Sequence, residues 1–554
     1  MPIRKLMTLA ALAVLAGACA ATTPEPSPTP TVTLAPTQPP TPEPTPTPTS
    51  EPRGVYVDPG LPANLAARVD EALAANPADF AAVTDAALAD VRIAYSAPID
   101  LPILGRSVFA LAAAFPTIAD DAPWADVDAA WKGAPDHVPL RMTRSTYAAL
   151  AARYGDAAPG AVEWVEDTPA LVDALWANRA AWGIVPFDEL EPRLKVLSID
   201  GRSPLRRNLD LAQYPLVVDV VLSGDLNDAA ELQFVFGVAY TNRDESRMTT
   251  LGLTGVTALT RDLAWQMEQN GVLFPAEQIR PWLEEVDILH VSNEVSFTPI
   301  CTPPVLGSGT VVFCSAPKYF ELLTSLGVDV IENTGNHMTD WGREPFSYTL
   351  DLYRQAGIPY FGGGTNLEDA ARPLTLTHNG NLIGFVGCNP NGPDIAWATD
   401  TEPGSYPCRA GGGMDFSRVQ PQIDELRAEG ALPVLTIQYW EFYTYEPTFQ
   451  QAQEFRKAAE LGAAIVSGSQ AHHPQGFDFH SGAVIHWGVG NLFFDQSATA
   501  GQRLGLIDRY VIYDNRVLSL ELLAFIRENY AQPRPLEPAE RADFLSALFA
   551  ASGW

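Results

Sequence analysis

Five apolar runs in the second half of the chain each end in a cluster of polar residues, and this pattern constrains the fold more than any other feature. Residues 250–253 lead into Thr254, Gly255, Val256 and Thr257, and residues 287–291 into Ser292, Asn293 and Glu294. Residues 328–331, after Glu332, Asn333 and Thr334, lead into Gly335, Asn336 and His337. Residues 432–437 run into Gln438 and Tyr439, and residues 464–466 into the stretch from Ser467 to His472. Helical periodicity fills the intervals, at residues 318–325, 346–355, 419–429 and 449–461. Short apolar runs bounded by turn residues are buried strands, and their alternation with helices is α/β architecture. In such sheets the polar loops gather at one edge and ligands bind there. Five separated clusters can therefore converge on one cleft.

The start of the chain is an address followed by a spacer. Arg4 and Lys5 precede an apolar stretch at 6–16, too short to be a bilayer span, and small residues then stop at Cys19. Leu15, Ala16, Gly17, Ala18 and Cys19 resemble the lipobox of bacterial lipoproteins, with the leucine one place further upstream than usual. The resemblance implies lipidation of Cys19 and an extracytoplasmic, membrane-anchored protein at the bacterial cell surface; an ordinary cleaved signal peptide is the alternative. Residues 20–54 hold twelve of the 48 prolines and few apolar side chains, so they cannot bury enough surface to offset ordering. As extended polyproline II they form a disordered tether that reaches roughly 100 Å.

The remaining composition agrees with that setting. Asp and Glu number 66 against 35 Lys and Arg, a net charge of −31, which argues against nucleic acid as a partner. Besides Cys19, four cysteines remain, an even number in an oxidising compartment. Of three possible pairings, the two that close short loops are expected, Cys301–Cys314 and Cys388–Cys408. None has Cys-x-x-Cys spacing, so thiolate-zinc and redox roles are not indicated.

A first folded unit is expected at 55–240. Helices are read at residues 65–75 and 80–91, then at 124–131, 143–154 and 168–180, the last with Asp167 as N-cap; strands are read at 182–187 and 195–199. The stretches WADVDAAWKG, RMTRSTYAAL, AWGIVPFDEL, LKVLSIDGRSPL and YPLVVDVVL resemble, in order, the phosphate-type periplasmic solute-binding fold. That resemblance offers Arg144, Ser145, Thr146 and Asp188 as ligand contacts, against a plainer account of them as helix caps and solvated surface.

The second unit, 245–530, is followed by a C-terminal helix and tail at 531–554. Its segments TGVTALTR, VSNEVSF, LGVDVIENTGNHMTDWG, AGIPYFGGGTNLEDAARP, QYWEFYTYEPTFQQ, GAAIVSGSQAHHPQGF and GVGNLFFDQ occur in the order found in the CapA family of capsule and poly-γ-glutamate synthesis proteins. The resemblance implies a metallophosphatase-like layered α/β sandwich beside a smaller periplasmic-binding-protein-like α/β domain. It also implies a role in making or anchoring an anionic or polyamide envelope polymer. The family pattern supplies a carboxylate and several imidazoles for divalent metal, but this chain departs from it. Val256 stands where the family has Asp, Ser292 and Asn293 replace Asn-Leu before Glu294, and Gly335 replaces the first of two asparagines. Gln438 stands for a His, and Gln470-Ala471-His472 for His-Pro-His.

Three uses of the cleft follow. Glu294, Asn336, His337 and His472 hold one divalent metal and activate water. Alternatively the cleft is metal-free, and His337 or His472 does acid–base work with Asp340 or Glu294. In the third, the cleft binds polymer without turnover, with Gln438, Gln470, Ser292 and Asn491 as hydrogen-bonding groups. His473, His480 and His486 are read as structural or solvated.

Overall fold

The computed structural model describes residues 51–97 and 100–554. The lipobox, Cys19 and most of the tether lie outside the described residues.

One mixed sheet collects every strand between Arg53 and Thr241. Its centre is the long strand Ile103–Ala114, whose alanine- and leucine-rich second half is buried throughout. Different stretches of it pair with Val217–Gly224, Trp182–Pro186 and Leu194–Ile199. Helices Trp124–Trp131, Arg144–Tyr154 and Thr168–Ala177 form where expected, and Asp167 caps the last by accepting the Ala170 N–H at 2.9 Å.

The helix expected at 80–91 is not formed. Phe80–Ala82 and Val91–Ser96 are strands flanking Arg53–Val57, separated by a single turn that Asp85 caps. Alanine favours helix, but a helix here has no apolar stripe to bury. Leu88 is 71% exposed, and only Phe80 and Val91 reach the core. Strand pairing on both sides of Arg53–Val57 decides the conformation instead.

The second half is a sandwich of two sheets. One has the order Tyr360–Phe361, Val330–Glu332, Ile288–Asn293, Met248–Thr254, Leu504–Tyr513, Arg516–Glu528, Gln532–Pro535. The other runs Leu374–His378, Asn381–Cys388, Leu432–Gln438, Ile465–Ser469, Ala483–His486, Phe477–His480. Leu251, Leu253, Ile288 and Val330 of the first sheet share one buried cluster with Ile383, Phe385, Val434 and Ile465 of the second. Helices close the outer faces: Arg261–Asn270 and Arg343–Ala356 cover the first sheet, Phe416–Ala428 and Phe449–Glu460 the second. This is a layered α/β sandwich, the arrangement that buries both faces of largely parallel sheets.

The two halves pack firmly. Met248, Val511, Tyr513 and Leu518 of the second half join the buried core of the first half. Phe115 and Trp176 from the first half meet Phe479 and Trp554 of the second edge to face. The helix Pro538–Ala551 buries Phe544, Leu545, Leu548 and Phe549, and its Arg541 pairs with Asp120 at 2.9 Å. Residues 51–554 accordingly behave as one compact unit. Both expected disulfides are present, Cys301–Cys314 and Cys388–Cys408.

Candidate functional site

Parallel pairing brings the polar clusters to one edge. Val256 lies beside Ser292, and Ser292 beside Glu332, while Gln438 lies beside Ser469 on the facing sheet. The carboxyl ends of strands from both sheets thus meet at one cleft.

At its centre is the Gln438 side chain. Its Nε2 faces three oxygens: Glu294 Oε1 at 3.5 Å, Asn336 Oδ1 at 3.2 Å, and Gln470 Oε1 in closer contact. Its Oε1 accepts a hydrogen bond from Ser469 Oγ at 2.7 Å. Gln470 in turn donates to Glu441 at 3.3 Å. Both glutamine amides are therefore spent within the protein. Gln470 (φ 78°) and His472 (φ 52°) are left-handed, a conformation L side chains adopt at an energetic cost and one that collects at functional loops.

Glu294 is fully buried, and its Oε2 has no hydrogen-bond partner. Burial raises its carboxyl above the ordinary range, opposed by the nearby His472 and His337. His337 Nδ1 lies 2.7 Å from Asp340 Oδ2, and the ring rests 4.2 Å from Phe313. Burial pulls the His337 imidazolium down, but the Asp340 hydrogen bond and the charges of Glu294, Asp340 and Glu441 outweigh it, so the net direction is up. Its side chain keeps 19% exposure at the cleft. Asp340 also accepts the Phe313 N–H at 2.8 Å, which ties the loop before Cys314 to the histidine.

His472 is buried. Its Nδ1 is held by Asn491 Oδ1 at 2.8 Å, while Nε2 faces Glu441 at 3.7 Å and Glu294 at 3.9 Å. Asn491 thus positions His472 instead of facing a ligand. Ser292 is buried within its strand. Glu441, a half-exposed carboxylate of the QYWEFY segment, is the site residue that sequence reasoning missed; it follows the Gln438 strand by three residues.

Packing at Gly335 and Val256 limits which donors the cleft can hold. A Cβ at Gly335 would lie 2.6 Å from Glu294 Cα, so the backbone leaves no room for asparagine there. Val256 is fully buried and supplies no bridging carboxylate. Among the described residues no three His, Cys, Asp or Glu side chains gather at metal-ligand geometry. An amide N–H₂, which cannot ligate, stands where the oxygens converge. As arranged, the donors do not fit a divalent metal.

Two sheets sandwiched between helices, with a polar cleft at the carboxyl edge of both, define the class: a layered α/β sandwich protein. Residues 250–496 match the family described as "Bacterial capsule synthesis protein PGA_cap". The chain is similar to the capsule biosynthesis protein CapA of Bacillus anthracis, 23% identical over 337 residues, covering 59% of this chain and 79% of that protein. It is also similar to the PGA biosynthesis protein CapA of Bacillus subtilis (strain 168), 25% identical over 193 residues, covering 34% of this chain and 49% of that protein. Among solved structures, an ABC-type phosphate transport receptor from Vibrio cholerae aligns with 34% of this chain and 93% of its own, at 11% identity and a TM-score of 0.29.

Proposed function

We propose that this is an envelope-anchored capsule or poly-γ-glutamate synthesis protein whose cleft engages a carboxylate of an anionic polyamide without metal. The observation that carries the reading is the Asp340-backed His337, a partly exposed imidazole biased toward its charged form at a cleft otherwise rich in amides and carboxyls. A cationic His337 imidazole donates to a carboxylate or a backbone amide, and the buried Glu294 carboxyl, whose hold on a proton burial strengthens, is its partner for proton transfer. The lipid anchor at Cys19, the tether, and a solute-binding role for the first unit belong to this proposal. They are supported by the sequence pattern and by the envelope setting of the capsule-synthesis relatives. Among the described residues no helix is long and apolar enough to cross a membrane.

The test pairs polymer binding with metal analysis on the purified chain. Poly-γ-glutamate should bind more tightly at pH 6 than at pH 9, unaffected by chelator, and His337→Ala should abolish that pH dependence. Stoichiometric metal in the wild type would replace this reading with a metal-dependent hydrolase, to which the orphaned Glu294 Oε2 lends weight.

A further inference from the structure

A second candidate site lies in the first unit, far along the chain from the cleft. It is a cavity of about 330 Å³ between the start of helix Ala63–Ala75, the first turn of Arg144–Tyr154 and the turn Phe187–Glu189. That volume suits a small molecule. Of the contacts expected from sequence, Ser145, Thr146 and Asp188 line it; Arg144 does not, since its guanidinium lies over Trp164 at 5.2 Å.

The chemistry of the lining is one-sided. It includes two carboxylates, Asp188 and Glu189, with no Lys, Arg or His. Asp188 Oδ1 accepts a hydrogen bond from Asn242 Nδ2 at 3.0 Å, and its own main-chain N–H also supports the carboxylate; among the described residues no other side chain donates to it. Arg516 approaches from behind but donates to the main-chain carbonyls of Asp188 and Leu190, not to the carboxylate. Burial raises the Asp188 carboxyl, while the Asn242 bond and the more distant Arg516 and Arg247 oppose that rise. Two aromatic rings, Tyr95 and Phe109, complete the wall, and the Tyr95 hydroxyl bonds Ser107 Oγ at 2.9 Å. A shielded carboxylate without a cationic partner disfavours an anion and favours a cation; aromatic faces beside it favour an ammonium group.

We infer that this cavity binds a small organic ammonium compound, with the cationic nitrogen on Asp188 Oδ2 and against the Tyr95 and Phe109 rings. Asn64 Oδ1 already accepts from the Tyr240 hydroxyl and the Leu65 N–H, which leaves its Nδ2 to bond the rest of the ligand. The inference rests on the solute-binding role proposed for the first unit, to which it gives a ligand class, and is independent of the cleft.

Calorimetric titration of the full chain tests it, with choline, 1,4-diaminobutane and L-lysine as ammonium probes and inorganic phosphate and acetate as anions. At least one ammonium probe should bind with Kd of about 1 mM or tighter, and neither anion should bind. Asp188→Asn should weaken that binding by roughly tenfold or more. Because Asp188 is largely buried, a second variant guards against a folding failure. Ser145→Arg, at an exposed first-turn position, brings a like charge to the cavity and should abolish ammonium binding while unfolding at the wild-type temperature. The inference is overturned if no ammonium probe binds, if phosphate or acetate binds more tightly than all of them, or if a folded Asp188→Asn or Ser145→Arg variant binds as the wild type does.

Discussion

His337 and Asp340 lie three residues apart on one turn, and the Asp340 carboxylate both holds the imidazole Nδ1 at 2.7 Å and accepts the Phe313 main-chain N–H at 2.8 Å. One carboxylate thus couples the charge of the histidine to the position of a disulfide-closed loop. The other ring nitrogen is left for the cleft.

Replacing Asp340 by Asn should lower the His337 pKa. In the wild type, burial lowers that pKa, but the Asp340 hydrogen bond and surrounding carboxylates outweigh it, leaving the folded value above the ordinary 6.5. A raised folded pKa gives stabilisation that is fully present below the unfolded value and lost as pH rises through the folded one. Asp340→Asn should therefore destabilise the protein most below about pH 6.5 and progressively less above it. NMR titration of the His337 ring with parallel thermal melts checks both parts; an unchanged titration would remove the coupling.

Glu294 gives a second pH signature. Burial raises its carboxyl, so its contribution to stability is present in acid and lost as pH rises through the folded value. Glu294→Gln keeps the shape and removes the ionisation. The variant should melt above the wild type at pH 8, with the gap closing toward pH 4, and should lose polymer binding. Such an inverse relation is expected where a functional carboxylate is held at the expense of stability.

Much of this was legible beforehand. The apolar runs ending in polar clusters located the sheet edge because burial on both faces of a parallel strand leaves a continuous apolar signature, as in residues 432–437. What stayed hidden depends on tertiary pairing. The alanine-rich 80–91 stretch carries helix propensity but no face to bury, and only its strand partners reveal that. Gln438 and Gln470 read as ligand-facing amides, whereas the fold turns them on each other and on Ser469, Asn336 and Glu441. Glu441 gave no signal because a carboxylate in a loop is ordinarily solvated.

The disulfide Cys301–Cys314 should matter more for the site than for the fold. It closes a short loop with exposed Val305, Leu306, Val311 and Val312, and the residue before Cys314 is Phe313, whose ring rests on His337. Replacing both cysteines by Ser should weaken the Phe313–Asp340 contact and shift the His337 titration. Replacing Cys388 and Cys408 by Ala, in the buried core of the second sheet, should instead cost about 2–4 kcal/mol of stability with the His337 titration unmoved. Chemical denaturation and the same NMR titration on each pair separate the two roles.

Gln438 and Gln470 decide whether the cleft can hold a metal. The Gln438 Nε2 donates toward Glu294, Asn336 and Gln470 oxygens, so it acts as an internal positive pole among three acceptors. Truncating it to Ala strands buried oxygens and should cost about 1–3 kcal/mol. Exchanging both residues for His does something different: it replaces an N–H₂ donor with imidazole lone pairs beside Glu294, His337 and His472. Those two histidines are already oriented through Nδ1 by Asp340 and Asn491, the outer-sphere support that imidazole ligands need. The Gln438→His, Gln470→His double variant should take up roughly one zinc or manganese ion per chain, with a metal-dependent rise in melting temperature, where the wild type takes up none. Elemental analysis after dialysis distinguishes the outcomes. Metal in the wild type would show that the Gln438 amide yields to a cation, and metal in neither protein would show that the strands hold these positions too far apart for ligation.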